Sequence, residues 1–145
     1  MSSNMDTTEL FQHLVEGASF EKSLEALGTA INNPSLTELL AALQKRNGLS
    51  ASDIADQTLL SKSYVHQLFN GIRSPGRNAV LCVARVLKAN LHETRTLLRL
   101  SQKGDLYPRI RRDAAIIFGI ERDYDLMRLE RLLTDIGEAS LLPDI

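Results

Sequence analysis

Three four-residue segments, SLTE, SASD and NLHE, constrain the fold of this chain more than any other feature of its sequence. Each places a serine or an asparagine three positions before a carboxylate. In a capping box, the first side chain accepts a hydrogen bond from the backbone N–H of the fourth residue, and the acidic side chain accepts one from the backbone N–H of the first. Ser35, Ser50 and Asn90 are therefore predicted to begin three helices.

Apolar residues recur at helical spacing along the chain, and the sequence contains no run of alternating β-branched residues, so the predicted fold class is all-α. Ser61 is expected to begin a further helix, and Pro75 and Gly76 to separate that helix from the next. Five helices are thus predicted in the middle of the chain, over residues 35–46, 51–57, 61–69, 77–88 and 91–101.

The predicted helices divide the chain into three parts. Residues 1–34 are predicted to form an N-terminal acidic arm of two short helices interrupted near Gly17, and residues 35–104 a five-helix domain. Residues 105–145 are predicted to form a C-terminal helical hairpin.

In the hairpin, Pro108 is predicted to lie in the first turn of a helix over residues 109–121, and Asp125 to cap a last helix that ends at Gly137. The apolar residues of these two helices exceed what they can bury against each other. The hairpin is therefore expected to pack on the middle domain, on a second chain, or on both.

Charge is distributed unevenly along the chain. Residues 1–34 carry five acids and one lysine, residues 35–104 carry ten lysines or arginines and four acids, and residues 105–145 carry six arginines and nine acids. A basic block inside an acidic chain points to a polyanionic partner, and a solvated basic surface explains the charge alone equally well.

Other features bear on location. No apolar run approaches the roughly 18 residues that a membrane span requires, and the first residues lack the pattern of a secretory signal. The lone Cys82 cannot form an intrachain disulfide and is expected to be a buried thiol rather than a redox sensor. These features favour a cytoplasmic protein with no membrane partner.

No motif for catalysis or for a cofactor is found in the sequence. His13, His66 and His92 are scattered and have no cysteine or carboxylate at metal-ligand spacing, so no metal site is expected. No nucleophile-and-base constellation or phosphate-binding glycine loop is present either. The chain is therefore not expected to be an enzyme.

The third predicted helix carries a polar face. If Val65 and Leu68 point into the core, then Lys62, Ser63, His66 and Gln67 remain on the outer side. Taken alone, such a face is most simply solvated helix surface.

The surrounding sequence changes that reading. The stretch LSASDIADQTLLSKSYVHQLFNGIRSPGRNAVLCVARVL resembles the core of the Xre-type, lambda-repressor-like helix-turn-helix family, and LFNGI is similar to a segment of lambda repressor itself. The resemblance covers about residues 35–98. It depends on the combination of Ala55 between two short helices, Val65 and Leu68 inside the second, the Asn-Gly pair that ends it, and Pro75 in the loop that follows.

This resemblance implies roles for particular residues, because in that family the second helix of the motif lies in the major groove. Lys62, Ser63 and Gln67 match the positions that read bases, and His66 and Tyr64 flank them. Asn70 matches a phosphate-contacting amide, and Arg73 and Arg77 are expected to add charge to that contact.

Two positions depart from the family pattern. Leu59 replaces the usual glycine of the turn, which predicts either a left-handed leucine or a widened turn. Ala51 replaces a glutamine that contacts phosphate, so Ser52 or Ser50 is expected to take over that contact.

The sequence therefore predicts a sequence-specific regulator of transcription, a repressor, that binds double-stranded DNA as a homodimer formed through the hairpin. The alternative is a protein-interaction adaptor on the same scaffold, such as an antitoxin-like or signalling partner. In a third possibility, the acidic arm folds over the basic domain and competes with DNA.

Overall fold

The structure, a computed structural model, describes residues 34–143. These residues form seven α-helices and no strand, which confirms the all-α class. The helices are α1 (Leu36–Asn47), α2 (Ala51–Thr58), α3 (Lys62–Phe69), α4 (Arg77–Val86), α5 (Leu91–Leu100), α6 (Arg111–Glu121) and α7 (Leu126–Asp135). None of them is long and apolar enough to cross a membrane.

All three predicted capping boxes are present. The Ser35 hydroxyl accepts a hydrogen bond from the Glu38 N–H at 3.2 Å, and the Glu38 carboxylate accepts one from the Ser35 N–H at 2.8 Å. The boxes at α2 and α5 make the same reciprocal pair of bonds. Asp125 caps α7 as predicted, since its carboxylate accepts the Arg128 N–H at 2.8 Å.

One hydrophobic core joins all seven helices. Its largest fully buried side chains come from every one of them: Leu39, Leu43, Ile54, Leu68, Leu81, Leu87, Leu97, Leu98, Ile116, Leu129 and Leu133, together with the buried Val65 of α3. The hairpin of α6 and α7 is thus packed on the domain that precedes it, with α6 against α5 and α7 against α4. Packing of the hairpin on a second chain stays a prediction.

Gly119 allows α6 and α7 to approach closely. A Cβ atom at this position would lie 2.8 Å from the Leu129 Cδ1 atom, which is shorter than any ordinary contact. Any larger residue would therefore require the buried Leu129 side chain to shift.

A buried ion pair fixes the hairpin to the start of α4. Asp113 of α6 is 2 % exposed, and its two carboxylate oxygens accept hydrogen bonds from the Arg77 guanidinium at 3.2 and 3.0 Å. The same guanidinium donates to the carbonyls of Gly104 and Asp105 at 2.9 and 2.6 Å. Arg77 therefore joins α4, α6 and the segment between α5 and α6.

The start of α6 corrects one prediction. Pro108 is not in the first turn of this helix, which begins at Arg111. A turn precedes it, closed by a 3.0 Å hydrogen bond from the Ile110 N–H to the Tyr107 carbonyl. The Tyr107 N–H donates to Asp113 at 3.0 Å, so the ion pair also holds this turn outside the helix.

Cys82 of α4 is buried, as predicted. Its thiol donates to the carbonyl of Leu141, beyond α7, at 3.2 Å. Burial, and then the charge of Glu130, raise the pKa of this thiol to about 12 against the smaller opposing effect of Arg112. The thiol is therefore protonated throughout the neutral pH range.

The predicted acidic arm, with its two short helices around Gly17 and with His13, lies outside the described residues apart from Pro34, which is buried. The boundary at residue 34 and the possible competition of the arm with DNA stay predictions.

Substitution of Arg77 tests whether its ion pair with Asp113 holds the hairpin on the preceding domain. Arg77→Met is expected to lower the free energy of unfolding by about 2–3 kcal/mol, because the buried Asp113 carboxylate loses its charge partner. Urea unfolding followed by circular dichroism measures the loss. Arg111→Met is the matched control: Arg111 is 66 % exposed and 3.5 Å from Glu138, so less than about 1 kcal/mol should be lost. Equal losses for the two variants would contradict the assignment.

Candidate nucleic-acid interface

Hydrogen bonds between residues close in the sequence fix both ends of helix α3. The Ser61 hydroxyl accepts the Tyr64 N–H at 3.0 Å and caps the start of the helix. At the other end Gly71 has φ +77°, and the N–H groups of Ile72 and Arg73 both donate to the Gln67 carbonyl, at 2.9 and 3.2 Å. The left-handed conformation at Gly71 is one that a residue with a Cβ rarely adopts, which explains glycine at this position.

The turn between α2 and α3 is tight rather than widened. Leu59 adopts the left-handed conformation with φ 63°, and its N–H donates to the Ala55 carbonyl at 2.9 Å. This conformation costs a non-glycine residue about 1 kcal/mol. Leu59 is 50 % exposed, so only part of its side chain packs to offset that cost.

Thr58 supports the turn from inside. It is fully buried, and its hydroxyl donates to the Ile54 carbonyl at 2.7 Å and accepts the Leu60 N–H at 3.3 Å. The sequence reasoning missed this residue. The sequence shows only a threonine in the last turn of a predicted helix, and this position does not distinguish a buried hydroxyl from a solvated one.

The predicted division of α3 into an inner and an outer face is observed. Val65 is 0 % and Leu68 2 % exposed, whereas Lys62, Ser63 and His66 are exposed. Ala55 of α2 is 6 % exposed, and its small side chain lies where α2 packs against α3. The polar face is thus free of any role in the core.

The structure joins Gln67, Tyr64 and Arg73 into a cluster on this face. The Arg73 Nε atom donates to the Gln67 side-chain oxygen at 2.8 Å. The Arg73 guanidinium lies over the Tyr64 ring, 5.1 Å from its centre, in cation–π geometry. Arg73 comes from the loop after the helix, so the sequence reasoning, which gave it a phosphate contact only, did not place it beside Gln67.

Two of the predicted phosphate contacts lie at helix ends. Asn70 is the exposed C-cap residue of α3, and its side chain makes no hydrogen bond to another described residue. Ser52 is half-buried in the first turn of α2. Asn70 is therefore accessible to a ligand, whereas Ser52 is accessible only in part.

The predicted phosphate contact of Arg77 competes with an ion pair that the sequence did not reveal. The Asp113 carboxylate and two carbonyls occupy most of its hydrogen-bond donors, and the ion pair offsets its charge. This residue anchors the hairpin, and its phosphate contact stays a prediction. Its partners are distant in the sequence, which is why the basic loop alone did not reveal them.

Asp53 is an acidic group that the predicted interface did not take into account. Its carboxylate belongs to the capping box of α2 and accepts the Ser50 N–H at 2.9 Å, and hydrogen bonding to Ser50 holds its pKa below the ordinary value. It is therefore fully ionised at neutral pH. A negative charge one residue from Ser52 opposes a phosphate at the start of α2.

One protein-family model matches the part of the chain that contains α2 and α3. Residues 35–97 match the model of a protein family described as a helix-turn-helix domain. This match agrees with the helix-turn-helix resemblance inferred from the sequence, and α2, the turn at Leu59 and α3 lie inside the matched region.

The matched region accounts for less than half of the chain. No curated protein and no solved structure matches the sequence. Within residues 34–143 no group of three or more His, Cys, Asp or Glu residues is placed to hold a metal ion.

The cap of α3 gives a test of the local geometry. Ser61→Ala is expected to lower the free energy of unfolding by about 1 kcal/mol, because the Tyr64 N–H loses its acceptor. Ser61→Asp restores an acceptor and should unfold at nearly the wild-type urea concentration. If Ser61→Ala were as stable as Ser61→Asp, the hydroxyl would not be capping α3.

Proposed function

We propose that this protein is a repressor of transcription that binds double-stranded DNA in a sequence-specific manner, with α3 in the major groove. The observation that carries the proposal is the polar outer face of α3, exposed on the second helix of a helix-turn-helix motif. In such motifs the second helix contacts base edges and the first spans the phosphate backbone. Repression is proposed because occupying the DNA is sufficient for it. A cytoplasmic location stays a prediction.

Three exposed or half-exposed side chains have the chemistry to read bases. Lys62 can donate to guanine O6 and N7, Ser63 can hydrogen-bond to several bases, and Gln67 can pair with adenine N6 and N7. The bond from Arg73 uses one of the two acceptor sites of the Gln67 oxygen and fixes the side-chain amide. The remaining acceptor site and the amide N–H₂ then face a base together.

His66 and Tyr64 lie on either side of this set. His66 is exposed on the outer face and can reach a phosphate or a base edge. The Tyr64 ring is half-buried and supports Arg73. We infer that Tyr64 acts on DNA chiefly by orienting Arg73.

We propose that the protein binds DNA as a two-fold dimer. One recognition helix reads few base pairs, and two half-sites one DNA turn apart double the interface. Most of the apolar surface of the hairpin is buried within the chain. The large exposed apolar residues inside α6 and α7 are Phe118, at 42 % exposure, and Met127, at 63 %, and Ile110 just before α6 is 51 % exposed. We assign the dimer contact to the hairpin surface that carries Phe118 and Met127.

The same two residues favour the second candidate function, an adaptor that binds another protein. Truncation after Gly104 cannot separate the candidates, since it would remove Asp113 and uncover the core. Phe118→Gln combined with Met127→Gln leaves the core in place. Loss of dimer mass in light scattering and weaker binding to a two-fold site would support the dimer, whereas an unchanged mass would favour a different protein partner on this surface.

Selection from a pool of random duplexes tests the base-reading residues. The wild-type protein is expected to enrich a two-fold site, and its affinity should fall steeply with salt because bound phosphates release counterions. Lys62→Ala and Gln67→Ala should each relax the preference at one position per half-site, by about tenfold or more. Asn70→Ala should weaken all sequences alike, and Arg73→Ala should do both, since Arg73 also holds Gln67.

Arg131→Ala is the control for this selection, because it removes an exposed arginine from the hairpin helix α7. It should leave the enriched site unchanged. Enrichment of no site by the wild-type protein, or of the same site by Lys62→Ala and Gln67→Ala, would refute the proposed readout.

Removal of the Asp53 charge gives a gain-of-function test. Asp53→Asn retains an oxygen for the capping box but removes a negative charge next to the phosphate expected at the start of α2. Affinity for any duplex is expected to rise by several-fold, and the rise should shrink at high salt. Fluorescence anisotropy with a labelled duplex measures both. Glu121→Gln, an exposed acid at the end of α6, is the control and should have no effect on affinity.

A further inference from the structure

A second basic surface lies on α5 and on the segment that follows it. His92, Arg95, Thr96, Arg99, Lys103, Gly104, Asp105 and Tyr107 line a cleft of about 440 Å³. Three of these side chains are cationic and one is a carboxylate. The proposed DNA-binding function does not use any of them.

The only carboxylate in the lining is already engaged. Asp105 accepts hydrogen bonds from Arg95 at 3.0, 3.2 and 2.8 Å in a bidentate pair. These bonds lower the pKa of Asp105 first, and the more distant charge of Arg99 adds to the lowering. Arg99 and Lys103 themselves form no ion pair with a described residue.

The pKa of His92 indicates which charges act inside the cleft. Burial lowers its pKa, and the charges of Arg99 and Arg95 lower it further, against the opposing charge of Glu93. Glu93 cannot neutralise the cleft, since it is buried and paired with Arg46 at 2.7 Å. The cleft therefore holds a positive potential that residues 34–143 leave uncompensated.

The helix dipole explains the position of only one of the three cations that line the cleft. Arg99 lies in the last turn of α5, where the negative end of the dipole favours a cation. Lys103 lies beyond the helix and Arg95 one turn earlier, yet both converge with Arg99 on the same cleft. A ligand with several negative charges would satisfy Arg99 and Lys103, whereas Arg95 is already paired with Asp105.

We propose that this cleft binds a small multivalent phosphate, such as a nucleoside triphosphate or a linear polyphosphate, held by Arg99 and Lys103 with Arg95 at its side. Arginine and lysine are the residues that bind phosphate oxygens most strongly. Tyr107, 53 % exposed, lies at the cleft and provides a ring on which a base can stack. The cleft volume accommodates a ligand of this size.

No residue that lines the cleft belongs to the proposed DNA surface. Helix α5 packs against α1, α4 and α6, whereas α3 packs against α1 and α2. The proposal consequently does not rest on DNA binding, and either can fail without the other.

Isothermal titration of the full-length protein with sodium tripolyphosphate, ATP and adenosine tests the proposal. Tripolyphosphate and ATP should bind and adenosine should not. Arg99→Gln combined with Lys103→Gln should weaken tripolyphosphate binding by about tenfold or more, because two charged hydrogen-bond donors are lost. Tighter binding of ATP than of tripolyphosphate would assign the site to nucleotides, and equal binding would assign it to the phosphate chain alone.

Lys45→Gln combined with Arg131→Gln removes the same charge from exposed positions elsewhere and is the matched control. It should bind tripolyphosphate like the wild-type protein. Equal weakening in the two double variants would overturn the proposal, since it would show attraction to net charge only.

Two further readouts separate this site from DNA binding. Tripolyphosphate should raise the pKa of His92 in an NMR titration, since an anion counteracts Arg99 and Arg95. Duplex affinity of the Arg99→Gln, Lys103→Gln variant should stay within about twofold of the wild-type value. An unmoved His92, or a loss of duplex affinity as large as the loss for tripolyphosphate, would refute a separate site.

Discussion

Two helices of eight residues each, α2 and α3, cannot hold their own shape in water, where isolated helices of fewer than about 12 residues are marginal. Their geometry depends on burial of Ile54, Val65 and Leu68 in a core to which all seven helices contribute. Those three side chains and the Ser61 cap stabilise the helices, so the outer residues of α3 are not needed for the stability of the fold. That separation is what leaves Lys62, Ser63 and His66 available to a ligand.

Local chemistry was predictable from the sequence, and long-range chemistry was not. The capping boxes follow from residues three positions apart, and the core follows from helical spacing, so both were confirmed. The partners of Arg77 lie 27 to 36 positions away, and no local pattern reveals them. The turn before α6 was misplaced for the same reason, since Asp113 holds it from within the next helix.

The charge of the basic block likewise needed a structure for its interpretation. Four of its ten cations, Arg46, Arg77, Arg85 and Arg95, lie within ion-pair distance of acids. Arg85 is only 4 % exposed, and it donates to the carbonyls of Tyr124 and Ala89. The remaining cations include Lys62 and Arg73 at α3 and Arg99 and Lys103 at α5, so one excess of charge in the sequence corresponds to two separate surfaces.

The position of Arg77 has a mechanical consequence. Asn70 and Arg73 lie in a short loop whose first end is α3 and whose second end is the start of α4, and Arg77 is the first residue of α4. That second end is fastened to Asp113 of the hairpin. Displacement of the hairpin from the core would therefore release the second end of the loop that carries Asn70 and Arg73, so the hairpin helps to fix the position of these two residues beside α3.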